Sequence, residues 1–527
     1  MAASLVISPL KGKIGQKTQA NLQATGRSLA LPAISLRQNK RCIIMIFLLA
    51  ILGLGLRLYA LDSHGFFIDE IYSVQVAQGN ADPELLAFDS IRPLYFAFLK
   101  FWMQLGQSEL WLRLPSVIFG VLNIILTYWL GRVSAGPGVG FVAALLLTLS
   151  PLEVHYSQQA RMYTMGSFLA LAGSLSLILA WQRQSKLLLF AWGAFRVLMV
   201  WTLPLAALLL AVDLLVSIFS QPRNKQMAVF SLVFLIVSVS ALVFAWKMPL
   251  ISMFNAYDAW RSTLPIPGLI DAAMVLVNFT SCASPIQECL GPKEGGPLAL
   301  LYSLSMLGLA VLSFFALKGK RNLLFSVSWM LFTVLFTWAV SQSGTCFLIV
   351  RYILFAAPYA FIAMAAGFEF LIEKNRIAAG LLVLLYAYIV PLNLYSLVRH
   401  PVHEDWRLAA GYVERNEKPG DTILVWTYHS SYVWNYYYKG LNRDRVNDFQ
   451  ASLPEAGKPL QVGALDADSK PVAIKGRTWI IIRQSIKNWD RDWKIYQSVL
   501  AHLKEKYKVI KYESVTKLDV LLLEPGE

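Results

Sequence analysis

The chain is poor in charge. Asp, Glu, Lys and Arg make up 15% of its 527 residues, against about a quarter in soluble domains. It has only four cysteines and six histidines. They form no CxxC pair and no His/Cys cluster of zinc-site spacing. No phosphate loop or nucleophile elbow stands out in residues 399–527, and no clear internal repeat in the chain marks the broken-helix architecture common in transporters. Apolar residues reach 56%, and mean hydropathy is +0.52. These values exclude a disordered chain, a coiled coil, a collagen and an ordinary cytosolic enzyme. They point to a polytopic membrane protein.

The charges are unevenly spread. Residues 399–527 hold 37 of the chain's 79 charged residues. This divides the chain into a basic tail (1–41), a membrane body (42–398) and a polar C-terminal domain (399–527). Hydropathy predicts about eleven spans, at 42–61, 113–132, 137–150, 163–181, 187–203, 204–220, 227–246, 298–317, 323–341, 350–372 and 377–397. Most approach the ~20 apolar residues a helix needs to cross. One long run, 187–220, must be split at Trp201-Thr202-Leu203-Pro204.

With the N-terminus inside, the inner segments carry 17 Lys and Arg and the outer loops eight. That agrees with the positive-inside rule. An odd span count then places the C-terminal domain outside, periplasmic or extracellular, on a plasma (inner) membrane. The net charge of +15 reads as a topology signal, helped by anionic membrane lipids, and not as nucleic-acid binding. The first apolar stretch lies too deep and runs too long for a cleaved signal peptide. Cys282 and Cys289 fall in the outer loop 247–297, where their spacing permits a disulfide without demanding one.

Candidate chemistry gathers in the outer loops. The first, 62–112, carries Asp69-Glu70 at the head of an amphipathic stretch. It continues into RPLYFAFLKFWMQLG, read as a helix lying in the interface. Two adjacent acids can simply favour a helix N-terminus. They can also act as a general base with a partner, or as ligands for a hard divalent cation such as Mg2+ or Mn2+. The loop SPLEVHYSQQARMY adds His155, Gln159, Arg161 and Tyr163. Arg351-Tyr352 opens a late span at the same face, and Arg92 is a third arginine there. An arginine fork suits phosphate, although a snorkelling role is open to each. Arg57, Arg196, Asp213 and Glu369 fall inside spans, where ionisable groups are costly. Arg196 and Asp213 sit on opposite arms of the 187–220 hairpin and are expected to form a structural ion pair.

Residues 399–527 alternate helix-like and strand-like pieces, which predicts a small α/β domain. Its aromatic run, Tyr432 to Tyr438, is read as core packing before sugar stacking.

The run LRLYALDSHGFFIDEIYSVQVA resembles the first-loop motif of bacterial dolichyl-phosphate-mannose-protein mannosyltransferase-like proteins, the glycosyltransferase family 39 and its relatives. SPLEVHYSQQARMYTMGSFLAL resembles their SQEARMY signature, RYILFAAPYAFIAMAAG a late span, and HEDWRLAAGYV the opening of their outer domain. The resemblance covers about residues 42–425. It implies a GT-C fold and transfer of a sugar from a polyprenyl-phosphate donor to a lipid, protein or polysaccharide acceptor at the outer face. By analogy Asp69 is the base and Glu70 its support. Arg92, Arg161 and Arg351 would meet the donor phosphate, with Tyr163 and Tyr352 beside them and His155 and Gln159 positioning substrate. The sequence departs from the family at Gln159, where relatives carry an acid, and at Arg92, where relatives usually have His or Lys. A polyprenyl-lipid flippase and a catalytically silent, envelope-binding homologue are the competing readings.

Overall fold

The computed structural model describes residues 36–81, 92–220, 224–247, 264–281, 296–399, 403–426, 430–452, 461–465, 471–472, 476–484 and 490–525. Cys282 and Cys289 lie outside the described residues.

Helices lie over every apolar run named above. They are α1 (Leu36–Leu58), α4 (Glu109–Ala135), α5 (Pro137–Leu149), α7 (Tyr163–Arg183), α8 (Lys186–Thr202), α9 (Leu208–Ser220), α10 (Lys225–Lys247), α12 (Gly296–Ala316), α13 (Arg321–Ser341), α14 (Ala357–Lys374) and α15 (Arg376–Arg399). Among the described residues, six helical segments are long and apolar enough to cross a membrane unaided, and a bent pair supplies up to a seventh. The protein is therefore a multi-pass helical membrane protein. Between these helices lie α2 (Ile68–Gln78) and α3 (Pro93–Met103) in the first loop, α6 (Pro151–Ser157), and α11 (Leu269–Ser281).

Local sequence explains the breaks. The 187–220 run divides where Leu203 leaves helical geometry (φ −143°, ψ 87°) ahead of Pro204, which opens a short 3-10 turn, Pro204–Ala207. Proline disfavours the α conformation in the residue before it. A second break differs from the sequence expectation. The chain beyond residue 150 does not pass straight into a loop: Ser150 turns it by 62° into α6, and the Ser150 hydroxyl caps that helix by accepting the Glu153 amide at 3.2 Å. Arg57 secures the bend. It donates to the peptide oxygens of Leu147 at 3.3 Å and Thr148 at 3.5 Å, and to the Ser157 hydroxyl at 3.0 Å. The first two are carbonyls at the C-terminal end of α5, where a cation is favoured.

The loop 247–297 also departs from its reading as a plain outer loop. It contains α11, whose residues Val275, Val277 and Phe279 are buried. At 13 residues this helix is shorter than a span requires.

Small residues let the helices close up. A Cβ on Gly131 would stand 2.8 Å from the Gly140 Cα, so α4 and α5 meet backbone to backbone. Arg196 and Asp213 do pair. The guanidinium meets the carboxylate at 2.7 and 3.2 Å, and the Trp192 and Trp329 indoles each donate to it at 2.8 Å. Arg196 also reaches the Ala170 carbonyl and the Ser174 hydroxyl, each at 2.9 Å. Both ions are fully buried.

Among the described residues beyond 405, seven strands form one sheet over the body. Its strands are β1 (Thr422–Trp426), β2 (Val446–Ser452), β3 (Gln461–Leu465), β4 (Pro471–Val472), β5 (Thr478–Arg483), β6 (Tyr507–Val515) and β7 (Leu518–Pro525), in the order β4-β3-β2-β1-β5-β7-β6. β1 is parallel to β2 and β5, and the other pairs are antiparallel. Leu424, Ile480 and Leu521 face α18 (Asp490–Lys506), packing with Val499 and Leu503. Their neighbours Ile423, Ile481 and Leu522 belong instead to the core that runs on into the membrane body. This is the period-2 alternation of strands buried on both faces. Helices α16 (Trp406–Asn416) and α17 (Ser430–Tyr437) lie between that face and the body. The aromatic run takes part in packing: Trp434 and Tyr438 are buried, Tyr432 lies edge-on to Tyr72 at 6.4 Å, and Tyr436 meets Phe66 at 5.9 Å.

Removing one partner of the buried ion pair strands the other in the membrane interior. We expect Asp213→Ala to destabilise the protein by roughly 3–5 kcal/mol. The apolar pair Arg196→Met with Asp213→Leu should not restore stability, because two indole N–H groups lose their acceptor. Thermal melts of the purified protein in detergent check both.

Candidate active site

Asp69-Glu70 enters α2 from an extended Phe67 (φ −88°, ψ 173°). Glu70 stands at the third helical position and accepts the Phe67 amide at 3.2 Å, one half of a capping box. Its other contacts are long-range. Glu70 meets the Arg113 fork at 2.8 and 2.7 Å and accepts the Ala160 amide at 2.8 Å. A carboxylate offers about four lone-pair sites, and all are engaged.

Arg113 is as fully used. Beyond Glu70 it donates to the carbonyls of Leu61, His64 and Gly65, each at 2.9 Å. That accounts for the five N–H groups of a guanidinium. Glu70 and Arg113 are both buried, and together they tie the 61–67 turn, α2 and α4 into one unit. Sequence reasoning missed Arg113. Its signal was a lone arginine in the apolar stretch Leu110–Ser116, which also fits a snorkelling residue at the head of a span.

Asp69 is half-buried beside this clamp. Its peptide oxygen accepts from Arg161 at 2.8 Å, and the same guanidinium nitrogen donates to the Ser73 hydroxyl at 2.8 Å. Asp69, Arg161, Arg351 and Tyr352 all act electrostatically on the Tyr163 hydroxyl. Residues from three separate loops thus share one locality. The Arg351 guanidinium lies 5.3 Å from the centre of the Tyr352 ring. Arg92 is buried at the N-terminus of α3, which packs on α2.

His155 and Gln159 occupy the other side of the clamp. The Gln159 amide nitrogen lies 2.6 Å from His155 Nε2 and 3.3 Å from His403 Nε2. The His403 ring stacks on Phe67 at 3.7 Å. Burial, with the buried His155 ring and the positive charges of Lys517, Arg483 and Arg351 nearby, holds the His403 imidazole well below its usual range. His64 faces Asp405 at 3.5 Å. A small cleft of about 100 Å³ is lined by these histidines, Glu70 and Arg113. His403, Asp405 and the residues joining the sheet to the first loop were not singled out from the sequence.

A Mg2+ or Mn2+ ion held by the Asp69-Glu70 pair does not fit this geometry, because Glu70 has no acceptor site to spare. Among the described residues no group of three or more His, Cys, Asp or Glu is placed to hold a metal.

Neither the protein-family models nor the curated proteins contain a match to the chain. Solved structures do. They share the chain's GT-C membrane-protein fold. ArnT from Cupriavidus metallidurans, solved bound to undecaprenyl phosphate, aligns with a TM-score of 0.54 at 13% identity, covering 90% of this chain and 97% of that one. The oligosaccharyltransferase of Archaeoglobus fulgidus, tethered to an acceptor peptide, aligns at 0.53 and 13% identity, covering 94% and 75%. Its apo form aligns at 0.49 and 13% identity, and the match covers 78% of this chain and 65% of that chain.

Two outcomes follow. Glu70→Gln keeps the shape but removes the charge facing buried Arg113. It should cost roughly 3–5 kcal/mol, read as a lower melting temperature. The second concerns pH. An imidazole held neutral in the fold but titrating near about 6.5 when unfolded binds more protons in the unfolded state below that pH. Stability should therefore fall as pH drops below about 6.5, and His403→Gln should flatten that dependence in melts run from pH 7.5 to 5.

Proposed function

We propose that the protein is a membrane glycosyltransferase that moves a sugar from a polyprenyl-phosphate-linked donor to an acceptor at the extracytoplasmic face. One observation carries this reading. Of the two adjacent acids, Glu70 is consumed by the clamp, which leaves the Asp69 carboxylate for chemistry among Arg161, Arg351 and Tyr163. The fold supports it. Its structural neighbours include an ArnT that binds undecaprenyl phosphate and an oligosaccharyltransferase solved with an inhibitory peptide and a dolichol-phosphate.

In the proposed reaction an acceptor hydroxyl or amine attacks the anomeric carbon of the sugar. The bond from that carbon to the phosphate oxygen breaks, and polyprenyl phosphate leaves with the electron pair. Asp69 takes the acceptor's proton as attack proceeds. Arg161 and Arg351, joined by Arg92, stabilise the charge gathering on the departing phosphate. Tyr163 and Tyr352 hydrogen-bond beside them, while His155 and Gln159 order the opposite side of the clamp. A single displacement with one base inverts the anomeric centre; a retaining route would need a second carboxylate beneath the sugar, and Glu70 is not free to be one. We place the protein in the plasma (inner) membrane by eleven spans, with the N-terminus cytoplasmic and the sheet outside.

The test is release of free polyprenyl phosphate. Purified protein is incubated with a panel of labelled polyprenyl-phosphate sugars and a membrane extract as acceptor source. Wild-type release that falls at least about 100-fold in Asp69→Asn supports the reading. Equal release by the variant would remove Asp69 from the chemistry. No release from any donor by folded protein would favour a flippase or a silent homologue.

A further inference from the structure

The turn that delivers Asp69 is gripped from two sides. Arg113 holds its inner side through the Leu61, His64 and Gly65 carbonyls. The sheet layer holds the outer side. The hydroxyl of Tyr437, the last residue of α17, accepts the Phe66 amide at 2.5 Å and donates to Glu109 Oε1 at 2.5 Å. Arg407 on α16 donates to Glu109 Oε2 at 2.9 Å and to the Asp62 carbonyl at 3.2 Å. Gly65 makes the fit close: a Cβ there would stand 2.9 Å from the Arg407 Cβ and 3.1 Å from the Tyr437 hydroxyl. Glu109 opens α4 one helical turn before Arg113. Tyr437 therefore bridges, from outside, the same two pieces that Arg113 and Glu70 bridge from inside.

The phenol is suited to this work. Burial and its bond to Glu109 raise it above its ordinary range, so it keeps the proton it donates. Both of its bonds go to protein groups, and neither partner is a substrate residue.

We propose that Tyr437 is a positioning residue for the transfer reaction, its hydroxyl pinning the Asp62–Phe67 turn against α4 so that Asp69 stays in line with the donor. This rests on the reading of Asp69 as the base. It gives the sheet layer a role in the chemistry without any contact between that layer and the sugar.

Tyr437→Phe removes both bonds and keeps the ring packed on Tyr436, 5.0 Å away. Displacing a reacting group by about an ångström can cost up to about 100-fold in rate. With the full chain in nanodiscs, polyprenyl phosphate release should lose at least about tenfold in kcat. Donor KM should stay within about twofold, since the donor's own contacts are untouched. Amide exchange across residues 62–70 should quicken. In an Asp69→Asn background Tyr437→Phe should leave the residual rate unchanged, because it acts through Asp69.

Unchanged kcat with unchanged exchange overturns the proposal. So does a raised KM at constant kcat, which would mean contact with the donor. An equal further loss in the Asp69→Asn background also overturns it. If Tyr437→Phe fails to fold, Glu109→Gln decides: it keeps the Phe66 bond, and should lower kcat and quicken exchange in the same direction to a smaller extent. If the wild type releases nothing, the glycosyltransferase reading fails on its own. Exchange across 62–70 then still decides whether Tyr437 pins the turn.

Discussion

The buried pair of Glu70 and Arg113 is the contact on which the face bearing Asp69 depends. Taking two ions out of water is costly, and the cost is offset only when geometry and further hydrogen bonds satisfy both groups. Here every acceptor of the carboxylate and every donor of the guanidinium is used. The pair joins the first loop, the segment that follows α6 at Ala160 and the head of α4. On a helix, neighbouring residues point different ways, so Glu70, turned inward, holds the turn, while Asp69 beside it is half-buried and is the acid we propose for the chemistry.

Membrane interiors ask for the same completeness at other points. Arg196 and Asp213 are surrounded by two indoles, a carbonyl and a serine hydroxyl. Arg57 spends its donors on the broken end of α5 and on Ser157. Both arginines join segments that a simple bundle would leave independent: the two arms of a hairpin in one case, a bent helix pair in the other. The apolar runs place the helices in the membrane, while buried arginines fix how broken helices meet.

How much of this was legible in the sequence follows from the range of each interaction. The apolar runs, the breaking point at Pro204 and the pairing of Arg196 with Asp213 are readable because they depend on local hydropathy and on one proline turn. The helix α11 was missed because 13 residues fall short of a span signal. The turn of the chain into α6 was missed because a capping serine carries no hydropathy signal. Arg113 was missed because Glu70 lies 43 residues away, and His403 because Gln159 lies 244 residues away. No spacing rule reaches across such distances. The arginines at 161 and 351 were named from their residue type and their place at one membrane face; their nearness to Tyr163 is a property of the folded chain.

The Asp62–Phe67 turn has a consequence for how the protein is made. Its inner grip, Arg113, leaves the ribosome soon after the turn itself. Its outer grip comes from Asp405, Arg407 and Tyr437, which are synthesised more than three hundred residues later. The helices between are made while the acid-bearing turn is only half secured, and the grip on it is complete only once residues 405–437 have been made.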